Sequence, residues 1–272
     1  MNAGLMIAER IPDLIKKQLK PPLESRLRRL ASGLDVSVRL EGVTSNGFVK
    51  IKIDGSDSEA FTELIKKNLG LAPSDMSEVE VHDNFKAYAT GIDSKRHTIK
   101  VDIGPVSSRF ESEIPREALI AQLSDGRNVP VDSIARAYCI EEGVPMNVRI
   151  TSIDPDRRHI EAWISDSQVS RFEQWRRERF HRIIAVGGFQ DELREAVRLS
   201  KVERDVIELE ELALTAHSLV CKLGTDAPGI IAKIGRHISN FRLHAFLPDR
   251  VERLRSGQSQ SQEARPRRAS RR

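Results

Sequence analysis

The chain has 272 residues, of which 39% are hydrophobic and 31% charged, with a formal net charge of +4. That length accommodates two or three small domains, each with its own core. No apolar run approaches the ~20 residues that cross a bilayer, and Leu5–Ala8 is too short and poorly flanked for a signal peptide, so a membrane partner is excluded and a cytoplasmic protein is expected. The charge is uneven. From Val251 onward there are seven arginines against Glu252 and Glu263, so the tail carries +5 and the other 250 residues −1. The high basicity therefore belongs to the tail and does not by itself make the folded part a nucleic-acid binder.

In chain order, Ile11–Ala31 has apolar residues at helical spacing, with Leu14, Ile15, Leu19, Leu27 and Leu30 inward and a break or kink at Pro21-Pro22. Val36–Leu40 and Phe48–Ile53 alternate as two strands around the tight-turn pair Asn46-Gly47. Asp57 or Ser58 then caps a helix running to Leu69, with Phe61, Leu64 and Ile65 inward. An α-β-β-α unit of about 70 residues is small for independent folding and should lean on its neighbour.

Phe85–Ile92 and Thr98–Gly104 form a hairpin around Asp93–Arg96, and Met146, Val148 and Ile150 alternate with polar residues on a strand leading into Asp154-Pro155-Asp156. Ile160, Ala162 and Ile164 repeat the period on the returning strand. Pro115–Leu123 and Val131–Ile140 read as short helices between the hairpins. Two hairpins separated by a helical insert predict a five-stranded barrel of the OB kind.

Val169–Ile183 is an amphipathic connector carrying Phe172, Trp175 and Phe180 beside Arg171, Arg176, Arg177, Arg179 and Arg182. The remainder scans as β-α-β-β-α-β, the ferredoxin-like order, and from Leu254 the composition reads as disordered. The organisation is thus α+β, with units at 1–80, 81–166 and 167–250 and a basic tail at 251–272.

The strand ending in Asp102-Ile103-Gly104, the Asp154-Pro155 turn and the last strand together resemble the S1-type RNA-binding module. Aromatics usual on the second strand of such modules are absent here, where Lys100 stands. The α-β-β-α start, the S1-like middle and the end running Leu219–Gly235 are similar to a family of uncharacterised archaeal proteins, from about Leu14 to Val251. That resemblance implies a fold and a cytoplasmic setting, and no catalytic residues.

An OB barrel places the loops of its two hairpins beside one ligand face. Here those tips carry Lys95-Arg96 and Arg157-Arg158, while strand alternation puts Lys86, Tyr88, Lys100, Arg149, His159 and Trp163 outward. Cations can neutralise phosphates and aromatics can stack on bases, so these residues form the nucleic-acid site, with RNA the expected partner. Asp102 and Glu161 face the same way and weaken the field. Equally open at this stage, the turns are simply charged and Trp163 packs beneath another domain.

A second candidate is the loop Gly224–Gly229, in which Thr225, Asp226 and Gly229 could hold a ligand at a helix N-terminus. It resembles the ligand loop of amino-acid-sensing ACT modules. Alternatively, Asp226 merely caps the helix, with Pro228 in its first turn. Ile230–Ile238 bears some likeness to the backbone-clamping loop of KH modules, but Ile230, Ile231, Ile234 and Ile238 also fit a core helix. No histidine has metal-ligand spacing, and no phosphate loop, dinucleotide fingerprint or nucleophile elbow occurs. The expectation is a non-enzymatic RNA-binding protein without cofactor, acting in translation, RNA processing or transcription. A metabolite-sensing module and a protein–protein adaptor are the alternatives.

Overall fold

A computed structural model describes residues 4–257. In the N-terminal unit, β1 (Gly4–Arg10) precedes a 3-10 turn at Asp13–Gln18 and helix α1 (Lys20–Leu30). Strands β2 (Ser37–Val43) and β3 (Phe48–Asp54) and helix α2 (Ser58–Asn68) follow, and the antiparallel sheet runs β1-β3-β2. The expected long first helix is therefore corrected. Pro21 and Pro22 lie in the first turn of α1, where a missing N–H leaves no bond unmade. The chain before them makes a short turn that leaves Leu14 73% exposed. Ile15, Leu19, Leu23 and Leu27 pack under the sheet against Phe61 and Ile65.

The middle of the chain contains β4 (Asn84–Asp93), β5 (Thr98–Asp102), β6 (Glu111–Ile114), α3 (Arg116–Leu123), α4 (Val131–Tyr138), β7 (Pro145–Asp154) and β8 (His159–Ile164). The strands close in the order β4-β5-β6-β8-β7, with β6 and β8 parallel and the other pairs antiparallel. This is an OB-like barrel with its helices between the third and fourth strands. Inward residues such as Ala87, Ile99, Val101, Val148, Ile150 and Ile160 fill it, as the period of two requires. Strand β6 escapes sequence reading because Glu111, Ser112 and Glu113 carry no apolar alternation. Gln122 of α3 ties the helical insert to the barrel: its amide donates to the Ile164 carbonyl at 2.7 Å and its oxygen accepts from Ile164 N at 3.1 Å.

Helix α5 (Asp166–Glu178), capped by Ser165, leads to β9 (Arg182–Val186), α6 (Gln190–Leu199), β10 (Val206–Ala213), β11 (Ala216–Cys221), α7 (Ala227–Ile234), β12 (Arg242–Phe246) and α8 (Pro248–Ser256). The sheet order β10-β11-β9-β12, with every pair antiparallel, is the ferredoxin-like arrangement. Disorder from Leu254 is corrected for the residues described. Helix α8 continues to Ser256 because Val251 is fully buried and Leu254 packs on the barrel core. Arg255 also donates to Asp125 at 2.8 Å and pairs with Glu173. The rest of the expected basic tail, residues 258–272, lies outside the described residues.

The three units share buried polar contacts. Glu9 is 1% exposed; its Oε1 accepts from Lys86 Nζ of the barrel at 2.9 Å and its Oε2 from Leu214 N of the C-terminal unit at 2.8 Å. Thr215 Oγ1 donates to the Arg10 carbonyl at 3.0 Å, and Asn46 Nδ2 donates to Asp102 and to the Gly104 carbonyl. An edge-to-face aromatic run, Tyr138–Phe172–Trp175–Phe246, joins α4, α5 and β12. Cys139 and Cys221 are buried free thiols, and burial pushes Cys139 up to about 12 and Cys221 to about 11. No helix among the described residues is long and apolar enough to cross a membrane.

Candidate nucleic-acid interface

The two hairpin tips of the barrel are built alike. Asp93 Oδ1 accepts from the backbone N–H of Lys95 at 3.0 Å and Arg96 at 3.1 Å, and Asp154 Oδ1 accepts from Arg157 N at 2.9 Å. An aspartate that folds its own turn leaves the following side chains facing solvent. Those amides hold the Asp93 carboxyl below its ordinary range. His97 and Arg158 end the tips in left-handed backbone.

Both tips meet on Glu111, the first residue of β6. Its N–H donates to the Arg158 carbonyl at 2.9 Å, and its Oε2 accepts from Arg96 at 3.1 Å. The parallel pairing of β6 with β8 places Glu111 opposite His159 and fixes this meeting. Lys95, Arg96, Arg157 and Arg158 are therefore brought to one end of the barrel despite their separation in sequence.

The charges there are largely internally neutralised. Arg96 also lies 3.7 Å from Glu113, Lys100 bonds Glu111 and lies 3.6 Å from Asp93, His159 lies 3.5 Å from Glu113, and Arg157 lies 3.6 Å from Asp154. The bond between Lys100 and Glu111 raises the ammonium and lowers the carboxyl from their ordinary values. Among the described residues, Lys95 and Arg158 have no ion pair. Glu111 and Glu113 are not legible as site residues in the sequence. Their only signal was a two-residue alternation of glutamates, visible once β6 is known to be a strand.

Further down the outer surface, Arg149 pairs in register with Trp163 on β8 and with Asn84 on β4. Trp163 is 39% exposed, and Arg149 is exposed with no carboxylate partner among the described residues. His159, Glu161 and Trp163 form the outward row of β8, about 13 Å from tip to indole at the rise of a strand. The alternative in which Trp163 packs beneath another domain is not met.

Lys86 and Tyr88 do not belong to this face, which corrects their assignment. β1 of the N-terminal unit covers that part of β4. Tyr88 is 2% exposed, donates its hydroxyl to the Ala8 carbonyl at 3.0 Å and accepts from Arg10 N at 3.2 Å. Burial raises its hydroxyl well above the usual tyrosine range. Lys86 is spent on Glu9. Period-two alternation correctly places both outside the barrel, but outside the barrel is inside the protein here.

In the C-terminal unit, Asp226 Oδ2 accepts from Gly229 N at 3.0 Å and caps α7. Thr225 and Asp226 also line a cleft of about 340 Å³ with Arg179, His181 and Lys222; Gly229 does not. Ile230 and Ile234 are buried, so the stretch compared with KH modules is a core helix, ending at Ile234. Of the five arginines from Arg171 to Arg182, Arg176, Arg179 and Arg182 are engaged with Glu173, Asp249 and Glu178 respectively, leaving Arg171 and Arg177 on the surface. No group of three metal-ligating side chains occurs among the described residues.

Residues 180–243 match the model of the DUF2110 C-terminal domain, a domain of unknown function. That segment holds β9 through α7, reaches into β12, and includes the Leu219–Gly235 stretch that carries part of the likeness to an uncharacterised family. No curated protein matches the chain. A solved structure that is similar over part of the chain is the a/eIF2alpha–aDim2p–rRNA complex from Pyrococcus horikoshii OT3. It is 12% identical at a TM-score of 0.26, and the match covers 45% of this chain and 64% of that one.

Proposed function

We propose that the barrel binds single-stranded RNA without catalysing a reaction, in translation, RNA processing or transcription. The observation that supports this reading most is the exposed Trp163 beside the unpaired Arg149, on a strand that leads to the tip carrying Arg158. Stacking of a base on an aromatic contributes about 1–3 kcal/mol and tolerates any base. The electrostatic part is small, because Glu111, Glu113, Asp93 and Asp154 neutralise Arg96, Lys100 and Arg157. Three cations of this face without an ion pair among the described residues, Lys95, Arg149 and Arg158, correspond to a salt slope of about −2 for a single strand.

The test is a fluorescence titration of the full chain with a labelled oligouridylate across salt. Trp163→Ala should weaken binding about 5- to 150-fold, and Lys95→Ala with Arg158→Ala should flatten the slope by about 1.4. Undetectable binding, or normal binding by the folded Trp163 variant, overturns the proposal. A slope much steeper than −2 that disappears on removing residues 258–272 would assign binding to the tail instead.

A further inference from the structure

A polar cleft of about 270 Å³ opens where all three units meet. One wall is Arg10, at the end of β1, with the β2–β3 turn at Ser45–Gly47. The other walls are Glu142-Gly143 before β7 and, from the C-terminal unit, Gly187, Asn240 and Arg242. The backbone is drawn tight around it. Gly187 has φ +118°, and a Cβ there would stand 2.5 Å from the Asn240 carbonyl oxygen, so only glycine lets these two segments approach.

Arg10 is held by its root and leaves its fork uncommitted. Its N–H donates to Tyr88, its carbonyl accepts from Thr215, and its Nε donates to the Asn46 carbonyl at 3.1 Å. Asp102, the nearest carboxylate, is 3.9 Å from that same Nε. The two terminal nitrogens make no hydrogen bond among the described residues. Across the cleft, Arg242 donates one nitrogen to the exposed Glu142 at 2.7 Å, a rim contact that an entering anion can displace. Two guanidinium groups facing one polar space, one fixed and one at the rim, match the paired acceptors of a phosphate or carboxylate.

We propose that this cleft binds a small metabolite through its oxyanion, with the half-buried Arg10 as the anchor and Arg242 exchanging Glu142 for the ligand. The volume lies at the small end for ligand sites and suits a compact acid or sugar phosphate rather than an extended cofactor. Because the walls come from three units, the ligand would stabilise their mutual arrangement as well as each wall.

The test is thermal denaturation and calorimetry on the full chain with inorganic phosphate, glycerol 3-phosphate and succinate as probes. At least one should raise Tm in a dose-dependent way with one site per chain, and the phosphate and carboxylate arms identify the source of the oxyanion. Arg10→Met should weaken binding about tenfold or more. Ser45→Phe fills the mouth, removes no hydrogen bond of the described chain, and should abolish the shift. If Arg10→Met fails to fold, Ser45→Phe decides. No shift with any probe, or a shift that survives Ser45→Phe, overturns the proposal. Trp163→Ala should leave the response intact, so RNA binding and this site fail or stand separately.

Discussion

Glu9 is the contact most diagnostic of how the units hold together. Glu9→Gln preserves the shape and an acceptor for Leu214 N, but leaves the Lys86 ammonium without a counter-charge. Removing one partner of a buried pair typically costs 3–5 kcal/mol. Lys86 is 16% exposed and can turn partly to water, so the lower end, about 3 kcal/mol, applies. For a chain of this size each kcal/mol moves Tm by about 2–4 °C, giving a fall of about 6–12 °C. Urea denaturation should be followed by far-UV circular dichroism and by the fluorescence of Trp163 and Trp175, the two tryptophans. Adding Lys86→Met removes the stranded charge and should restore most of the loss, a coupling that a double-mutant cycle reads directly. A loss below about 1 kcal/mol for the single variant, or a double variant no better than the single, would refute the reasoning that this pair is a buried staple.

Three further outcomes follow from the packing. His217 is buried with Nε2 3.1 Å from the Gly188 carbonyl oxygen, and burial depresses its pKa below the ordinary 6.5. The unfolded chain therefore takes up the proton first, so stability should fall as pH drops below about 6.5, and His217→Gln should flatten that slope on the acid side of 6.5; an unchanged slope would argue against it. A chain ending at Arg250 loses Val251, Leu254 and the Arg255–Asp125 contact and should melt several degrees lower, roughly the cost of two apolar side chains, whereas an unaltered Tm would show that α8 contributes nothing. Asp226→Ala removes the cap of α7 and should cost about 1 kcal/mol, with chemical denaturation as the readout and a neutral substitution as the contrary result.

Much of the architecture follows from local pattern. Strands β4, β5, β7 and β8 were legible because one face of each lies against the barrel interior, and a period of two records that burial. The ferredoxin-like order was legible for a different reason: β9 and β11 are buried along their whole length and carry short apolar runs at Ile183–Val186 and Leu219–Cys221. Asp93 and Asp154 marked the two tips through their turn chemistry, and the order of the hairpins implied that Lys95, Arg96, Arg157 and Arg158 would share one end.

What escaped the sequence depends on contacts between distant segments. β1 and β6 lack a clear apolar alternation, and their pairing, with β3 and with β5 and β8, comes from elsewhere in the chain. Alternation says which side of a strand faces its own core, but not whether the other side meets water. Thus Tyr88 and Lys86 are consumed by β1 and Glu9, while Trp163, outward in the same sense, remains accessible. Charge behaves likewise: Arg96 and Lys100 count as basic in composition, yet Glu111 and Glu113 neutralise them only because β6 inserts between β5 and β8. The Arg10 cleft is written nowhere locally, since its walls come from three units, and a Coulomb interaction acts through distance in space rather than along the chain.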